Sequence, residues 1–559
     1  MILGQIDAIK PKIRSQGANV QFFFLLLFYS AIIRCVSYSH PPPLQNMLKL
    51  ATHTPLICAS NTTKSPENSK YRHLSFLRNC SHLIQFKQVH AQIIKTSSNS
   101  RTITDTQLAK LIESLVKSSQ IEYAHLVFSQ MVEPSTFAFN IMIRGYAESG
   151  LNHEAILLYI QMRCEGLEPD NFTYPFLLKA CSDIKQGKGV HSLVVKNQDF
   201  QSEIHSLTCL ITFYCSFGDI ESARLLFDRM SERNVVTWTA MIKGHVKQKS
   251  YKEGLELFSQ MRNSGIEMNE LTLVSVLSAC ACLGAIEMGK WVHEFIDRHC
   301  IFLNPKLGAA VIDMYGKCGN IEEASKVFKI VPQKSVCTWN SIIGGLAMHG
   351  CGEEALEMFS QMQTSGIKPD DITLIAVLSA CTHSGLVEKG KEIFYKMRRD
   401  HKIEPNIKHY GCLVDLLCRA GLLDEAYGVM SNMPVEPNAV LWGSLLTACA
   451  AAGNANVELA ETAMERLIKL EPSNDGNYVL MSNIYAAKGR WDDVAKMRRL
   501  MTERQIVRNP GHSLIEIDNV VHEFMVGDGR HPCSKEIYSM LEDIATSLKE
   551  EDYAAVISL

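Results

Sequence analysis

Residues 338–345 read TWNSIIGG, and residues 237–244 read TWTAMIKG, 101 positions earlier. The second half of each copy also matches: Ala355-Leu356-Glu357-Met358-Phe359-Ser360-Gln361-Met362 against Gly254-Leu255-Glu256-Leu257-Phe258-Ser259-Gln260-Met261. Phe139-Asn140-Ile141-Met142-Ile143-Arg144-Gly145 opens a third copy, 99 residues before Trp238. The frame is kept while one position changes: Asn140, Thr239, Asn340. A chain that repeats itself at a fixed period builds one structural unit many times.

Apolar spacing identifies that unit. In the copy at 336–370, Trp339, Ile342, Ile343 and Leu346 fall at i, i+3, i+4 and i+7, one stripe of a helix. Ala355, Met358, Phe359 and Met362 form a second stripe. Gly350 ends the first helix, and Gly366 followed by Pro369 ends the second. A hairpin this small cannot bury its own faces, but stacked neighbours can. The sequence therefore predicts an all-α fold: a right-handed α-solenoid superhelix of helix-turn-helix repeats. A short non-repeat C-terminal extension leaves room for a β-hairpin. The Met and aromatic stripes are core, not a cofactor box.

The 101-residue offset holds three units, two of 35 residues and one of 31. One intervening kind carries Leu-x-x-Ala-Cys and then Gly-Lys and His, as in Gly289-Lys290-Trp291-Val292-His293 and Gly187-Lys188-Gly189-Val190-His191. The other carries Tyr-x-x-x-Gly, Ala, and Val-Phe or Leu-Phe: Tyr315 to Gly319, Ala324 and Val327-Phe328, or Tyr214 to Gly218, Ala223 and Leu226-Phe227.

Composition narrows the function. The 559 residues exceed one compact domain, and 46% apolar with 21% charged content is that of a globular chain. A net charge of −3 supplies no basic field for nucleic acid. A binder of this charge would lean on base contacts or on a locally basic face. The 18 cysteines include no Cys-x-x-Cys. Cys181, Cys280 and Cys381 follow Ala in similar strings, as small buried helix residues of a reducing compartment do. Residues 8–66 lack Asp and Glu but carry Lys10, Lys12, Arg14, Arg34, Lys49 and Lys64, the pattern of an organellar transit segment. VQFFFLLLFYSAII (20–33) is short for a bilayer span but suits a secretory signal core, and Met47 is a second candidate start.

These repeats resemble the plant pentatricopeptide repeat proteins of the PLS class, in which P, L and S units rotate. Placed on that pattern, a degenerate L-like unit with Gln88-Val89-His90-Ala91 occupies 70–104, and the array runs over 105–438. Its units are S at 105–135, P at 136–170, L at 171–203, S at 204–234, P at 235–269, L at 270–304, S at 305–335, P at 336–370, L at 371–406 and S at 407–438. The L unit at 171–203 lacks residues between Cys181 and Gly187. Residues 439–508 look like the family's E1/E2 extension repeats, opening on Leu441-Trp442-Gly443 and Tyr478-Val479-Leu480. Residues 509–559 resemble an E+ segment leading into the start of a DYW deaminase-like domain, with Leu514 where the family usually has Trp. A zinc deaminase needs His-x-Glu and Cys-x-x-Cys. The sequence has neither, so an enzyme is not expected, nor any cofactor or metal.

The resemblance implies that each repeat reads one RNA base through its fifth and last residues, while the second residue packs on the base face. Carried over, Asn140 with Asp170 implies U, Thr208 with Asn234 implies A, Thr239 with Asn269 implies A, and Asn340 with Asp370 implies U. Weaker candidates are Ala309 with Ser335 and Gly411 with Asn438; Ala109 with Ser135 gives no base. Pro175, Val274 and Ile375, at the fifth place of the L units, offer no hydrogen bond. Asn and Asp at a helix start also serve as plain caps, and the two roles can coexist. The expected partner is single-stranded organellar RNA with the core 5′-UNAANNUNN-3′, in mitochondrion or plastid, the mitochondrion slightly ahead. The expected role is site recognition for C-to-U editing, with a deaminase-bearing protein in trans, room for small accessory editing proteins, and no membrane partner. A role in splicing, stability or processing, or as a protein-binding tetratricopeptide-like scaffold, are the alternatives.

Overall fold

The computed structural model describes residues 77, 80, 82–96, 101–196, 204–451, 456–506, 511–517, 520–525 and 529–557. The leader expected at 1–66, with both candidate starts, lies outside the described residues, as do Pro510 and Gly527-Asp528. Among the described residues there are 26 helices and one two-stranded sheet, so the fold is all-α with a β-hairpin near its end. The chain divides after Gly244 into two compact units, 1–244 and 245–559.

The hairpin read from the sequence forms as helices Val336–Met348 and Gly352–Thr364. Trp339, Ile342, Ile343 and Leu346 are buried, as are Ala355, Phe359 and Met362, while Met358 is half-buried. Gly350 turns the chain at φ 71°, a conformation side chains disfavour, and Cys351 N then donates to Leu346 O at 3.0 Å.

In each unit the first helices stack on one another. In residues 1–244 these are Arg101–Lys117, Thr136–Glu148, Thr173–Ala180 and Ile204–Phe217; in residues 245–559 they run from Glu270–Leu283 through Pro305–Lys317, Val336–Met348, Asp371–Ser384 and Ile407–Arg419 to Ala439–Ala451 and Asp475–Ala487. The shortened L unit is visible in Thr173–Ala180, 8 residues against 14 for Glu270–Leu283.

The motifs between the copies are joints. Trp339 sits edge-on to Phe328 of the preceding S unit at 4.8 Å between centroids, as Phe139 does to Phe128 at 5.1 Å. The L-unit histidines meet the S-unit tyrosines: His191 Nδ1 lies 2.8 Å from Tyr214 Oη and His293 Nδ1 3.0 Å from Tyr315 Oη. His90 pairs in like manner with Tyr123 at 2.9 Å. Cys181, Cys280 and Cys381 are buried free thiols, with pKa values pushed up by burial. At two glycines of the first helices an added side chain would crowd the preceding repeat. A Cβ on Gly345 would lie 3.2 Å from Ile321 Cδ1 and 3.6 Å from Gly316 Cα, and one on Gly145 only 2.8 Å from Val116 and Ile121 side chains.

The extension continues as Ala439–Ala451, Val457–Leu470, Asp475–Ala487 and Trp491–Glu503. Strands β1 (His512–Ile517) and β2 (Val520–Met525) then pair antiparallel, with Ile517 opposite Val520, and the helix Ser534–Ile557 comes after them. The Glu516 carboxylate accepts from Glu287 N at 2.9 Å and Met288 N at 3.1 Å, the first turn of helix Ile286–Arg298. A carboxylate there answers unpaired amides and the positive end of the helix.

Candidate nucleic-acid interface

The last residue of a unit caps the next first helix. Asp370 Oδ1 accepts from Thr373 N at 2.8 Å, and Asp370 N donates back to Thr373 Oγ1 at 3.1 Å, a reciprocal box. Asn269 Oδ1 accepts from Thr272 N at 2.9 Å, Asn234 Oδ1 from Thr237 N at 3.0 Å, and Asn438 Oδ1 from Leu441 N at 3.2 Å. Asp170 Oδ1 takes Phe172 N at 2.9 Å and Thr173 N at 3.1 Å. Capping thus claims one oxygen of each side chain.

Two predicted pairs meet directly. Asn140 Nδ2 donates to Asp170 Oδ1 at 2.7 Å, and Asn340 Nδ2 to Asp370 Oδ1 at 3.0 Å. Thr173 Oγ1 lies 2.8 Å from Asn140 Oδ1, and Thr373 Oγ1 2.6 Å from Asn340 Oδ1. Burial pushes the Asp370 carboxyl up, but donors from Thr373 N, Asn340 and the Thr373 hydroxyl outweigh it and hold the pKa below the ordinary value of 3.8.

The third pair meets through a bridge. Thr208 Oγ1 lies 2.7 Å from Ile204 O and 2.9 Å from Thr237 Oγ1, which in turn lies 2.9 Å from Asn234 Oδ1. Thr239 and Asn269 belong to different units of the division. Thr239 Oγ1 donates to Val235 O at 2.7 Å, and Asn269 caps Glu270–Leu283. Of the weaker candidates, Ala309 is buried and apolar, and Ser335 spends its hydroxyl on the cap of Val336–Met348. Gly411 has open space around it, since a Cβ there would meet nothing within 4 Å.

Two further sets of residues recur at fixed places; the first is expected from the resemblance, and its exposure is what the structure adds. The first stands at the second place of six units. Phe137, Phe172, Val236, Leu271, Ile372 and Val440 are exposed, from 38% for Leu271 to 68% for Val440. Within each compact unit, large apolar groups in water at this repeated place form a ladder of faces. A cavity of about 210 Å3 opens between two rungs, lined by Phe137, Asn140, Arg144, Asp170, Phe172 and Phe176. The slot before it, also about 210 Å3, is lined by Thr106, Ala109, Ser135 and Phe137. A larger cavity of about 510 Å3, beside Phe394, Tyr395 and Tyr410, contains no fifth or last residue. The second set is the third place: Thr173, Thr237, Thr272, Thr338 and Thr373, all fully buried. Their recurrence is visible in the sequence as a threonine three residues after Asp170, Asn234, Asn269, Ser335 and Asp370.

Comparison with known proteins agrees with this architecture. The chain matches the PPR repeat family at 134–183, 233–282 and 334–383, and PPR repeats at 205–235, 310–336, 372–401 and 401–434. It matches the E motif at 454–516 and the E+ motif at 521–546. A pentatricopeptide repeat-containing protein of Arabidopsis thaliana is 40% identical over 88% of this chain and 84% of its own length. Another from that plant, named as chloroplastic, is 42% identical over 86% and 83%. The solved maize pentatricopeptide repeat protein PPR10 is 16% identical with a TM-score of 0.47, over 78% of this chain and 72% of its own; PPR10 has also been solved with an 18-nt psaJ RNA element. The chain belongs to the plant pentatricopeptide repeat family, as a PLS-class member with E and E+ motifs after its repeats.

Proposed function

We propose that this chain binds single-stranded organellar RNA at 5′-UNAANNUNN-3′ and marks a nearby cytidine for C-to-U editing by a deaminase that another protein carries. One observation carries the base-reading part. The cap amide demands an acceptor, so Oδ1 faces it in both Asn and Asp. The other atom is then fixed. Asn234 keeps an Nδ2 donor without a bond among the described residues, and Asp370 keeps an Oδ2 acceptor. A donor suits the ring acceptors of adenine, and an acceptor suits N3–H of uracil. Capping and reading therefore use different atoms of one side chain. The exposed second-place residues give bases a stacking face, worth about 1–3 kcal/mol each.

The trans-deaminase part draws on the E and E+ motifs and on exposed apolar groups there: Leu514, Ile515 and Ile517 on β1, and Tyr538, Met540, Leu541 and Ile544 on the last helix. Large apolar side chains left in water suit a protein partner. A chloroplastic relative supports an organellar home, in plastid or mitochondrion. Exposed Tyr395 on an L unit, beside the larger cavity, suits a small accessory protein.

The test compares organellar RNA from plants with and without the protein, scoring C-to-U conversion throughout. A lost site preceded by UNAANNU supports both the register and the role. Unchanged editing with an unspliced or missing transcript replaces the role by splicing, stability or processing.

A further inference from the structure

Thr173 and Thr373 hold more than a cap. A threonine hydroxyl has one hydrogen and two lone pairs. One lone pair of Thr373 Oγ1 takes the Asp370 N–H. Its hydrogen faces two acceptors, Asn340 Oδ1 at 2.6 Å and Asp370 Oδ1 at 2.8 Å. Asp370 Oδ1 already receives Thr373 N at 2.8 Å and Asn340 Nδ2 at 3.0 Å. Asn340 Oδ1 has no other donor among the described residues, so the hydrogen goes to it. Thr173 repeats the arrangement, with Asn140 Oδ1 at 2.8 Å and Asp170 Oδ1 at 3.0 Å. The asparagine carbonyl is thus taken by threonine and one amide N–H by aspartate. Only the second N–H remains.

We infer that Thr173 and Thr373 are specificity-positioning residues, which hold Asn140 and Asn340 of the preceding unit so that each offers a base one N–H and no acceptor. The inference deepens the base-reading proposal and rests on it. An N–H donor beside the Asp Oδ2 acceptor matches a carbonyl next to N3–H in uracil. Cytosine has an acceptor at N3, which faces that carboxylate unfavourably. Without the hydroxyl, the buried asparagine carbonyl loses its donor and the side chain has reason to turn.

The array contains its own control. Thr338 is equally buried at the same place and closes the same kind of capping box with Ser335. Its hydroxyl reaches Pro305 O at 3.2 Å, and the fifth residue of the unit before it is Ala309, which has no acceptor to hold.

The experiment measures affinity of the full-length protein for two RNAs, identical except for U or C opposite Asn340 and Asp370, together with thermal melting. Thr373→Val is expected to lower the U-to-C affinity ratio about 5–10-fold, the size of one hydrogen bond to a buried polar group. Thr373→Ser restores the ratio. Thr338→Val lowers the melting temperature as Thr373→Val does, yet leaves the ratio at its wild-type value. Thr173→Val, read at its own slot, repeats the test should Thr373→Val not fold. A Thr373→Val protein that melts lower but keeps the full ratio overturns the inference and leaves Thr373 a cap. Wild-type protein indifferent to U or C overturns the base-reading proposal, and the inference with it.

Discussion

The capping slots that close the units at 136–170 and 336–370 differ from the one that closes the unit at 204–234 by very little. All three end in a residue whose Oδ1 caps the next helix, and in all three a buried threonine stands three residues later. In the first two, the fifth residue is long enough to reach the last one, at 2.7 and 3.0 Å. In the third, Thr208 stops short and Thr237 bridges the gap. The fold needs only the shared part. What varies is the length of one side chain and whether the atom left over by the cap donates or accepts. On the proposed reading, the preferred base can therefore change from unit to unit at little cost in stability.

The strongest way to break this comparison is to exchange the two kinds of slot. Asn340→Thr with Asp370→Asn keeps the cap and should move preference there from U to A. The relative affinities should change by about 100-fold, the size of one well-matched base contact. Competition binding with two RNAs reads it, and a retained U preference would show that these side chains do not choose the base. Next in size, Phe172→Ala should weaken binding about tenfold through lost stacking. The loss should be the same for every base at the flanking slots. A loss limited to one base would mean that Phe172 reads an edge.

Two further changes should leave recognition untouched. Burial lowers His90 from 6.5 to about 4 and also lowers His125, His191 and His409. Between those pH values the unfolded chain binds more protons, so stability is complete above about pH 6.5 and falls as pH drops toward 4. For His90 the full loss is at most roughly 3 kcal/mol. Asp370, held below its ordinary pKa, stays ionised through pH 5. Melting temperature should therefore drop between pH 7 and pH 5, while the U-to-A ratio at the Asn340 slot holds. A ratio that drifts with pH would place a titrating group in the slot. Smallest is Glu516→Gln, which removes charge from the start of Ile286–Arg298 and should cost residues 245–559 about 0.5–1 kcal/mol in a denaturant melt, with no change in base preference. A shifted preference would tie the tail to the reading face.

The fold was legible because apolar spacing and glycine breaks recur with the repeat, so every unit restates the others. Trp339 and Ile343 are where their period puts them. The fifth and last residues stand out in the sequence because they vary inside a constant frame, but the direct bonds of Asn140 to Asp170 and of Asn340 to Asp370 are seen only in the structure. The second-place residues are expected on a base face only through the resemblance, since Phe137 or Ile372 in a helical sequence looks like any core residue until its exposure is known. Thr373 is inconspicuous because threonine is common near helix starts and its role depends on an atom 33 residues away. The grip of Glu516 on Met288 leaves no periodic trace, because it joins residues 228 positions apart through a backbone amide.

The glycine joints have a consequence for register. A solenoid that reads a polynucleotide unit by unit brings two lattices side by side, one of hairpins and one of nucleotides. The pair remains commensurate only if the hairpin pitch is held down to what the phosphodiester chain can span. Gly345 against Gly316, and Gly145 against Val116, are places where a Cβ would push neighbouring hairpins apart. A methyl group wedged there would add its increment once, but every slot downstream would inherit the phase error. On the proposed reading, the least chemically endowed residues in the array thus help govern whether its most selective ones arrive opposite the right base.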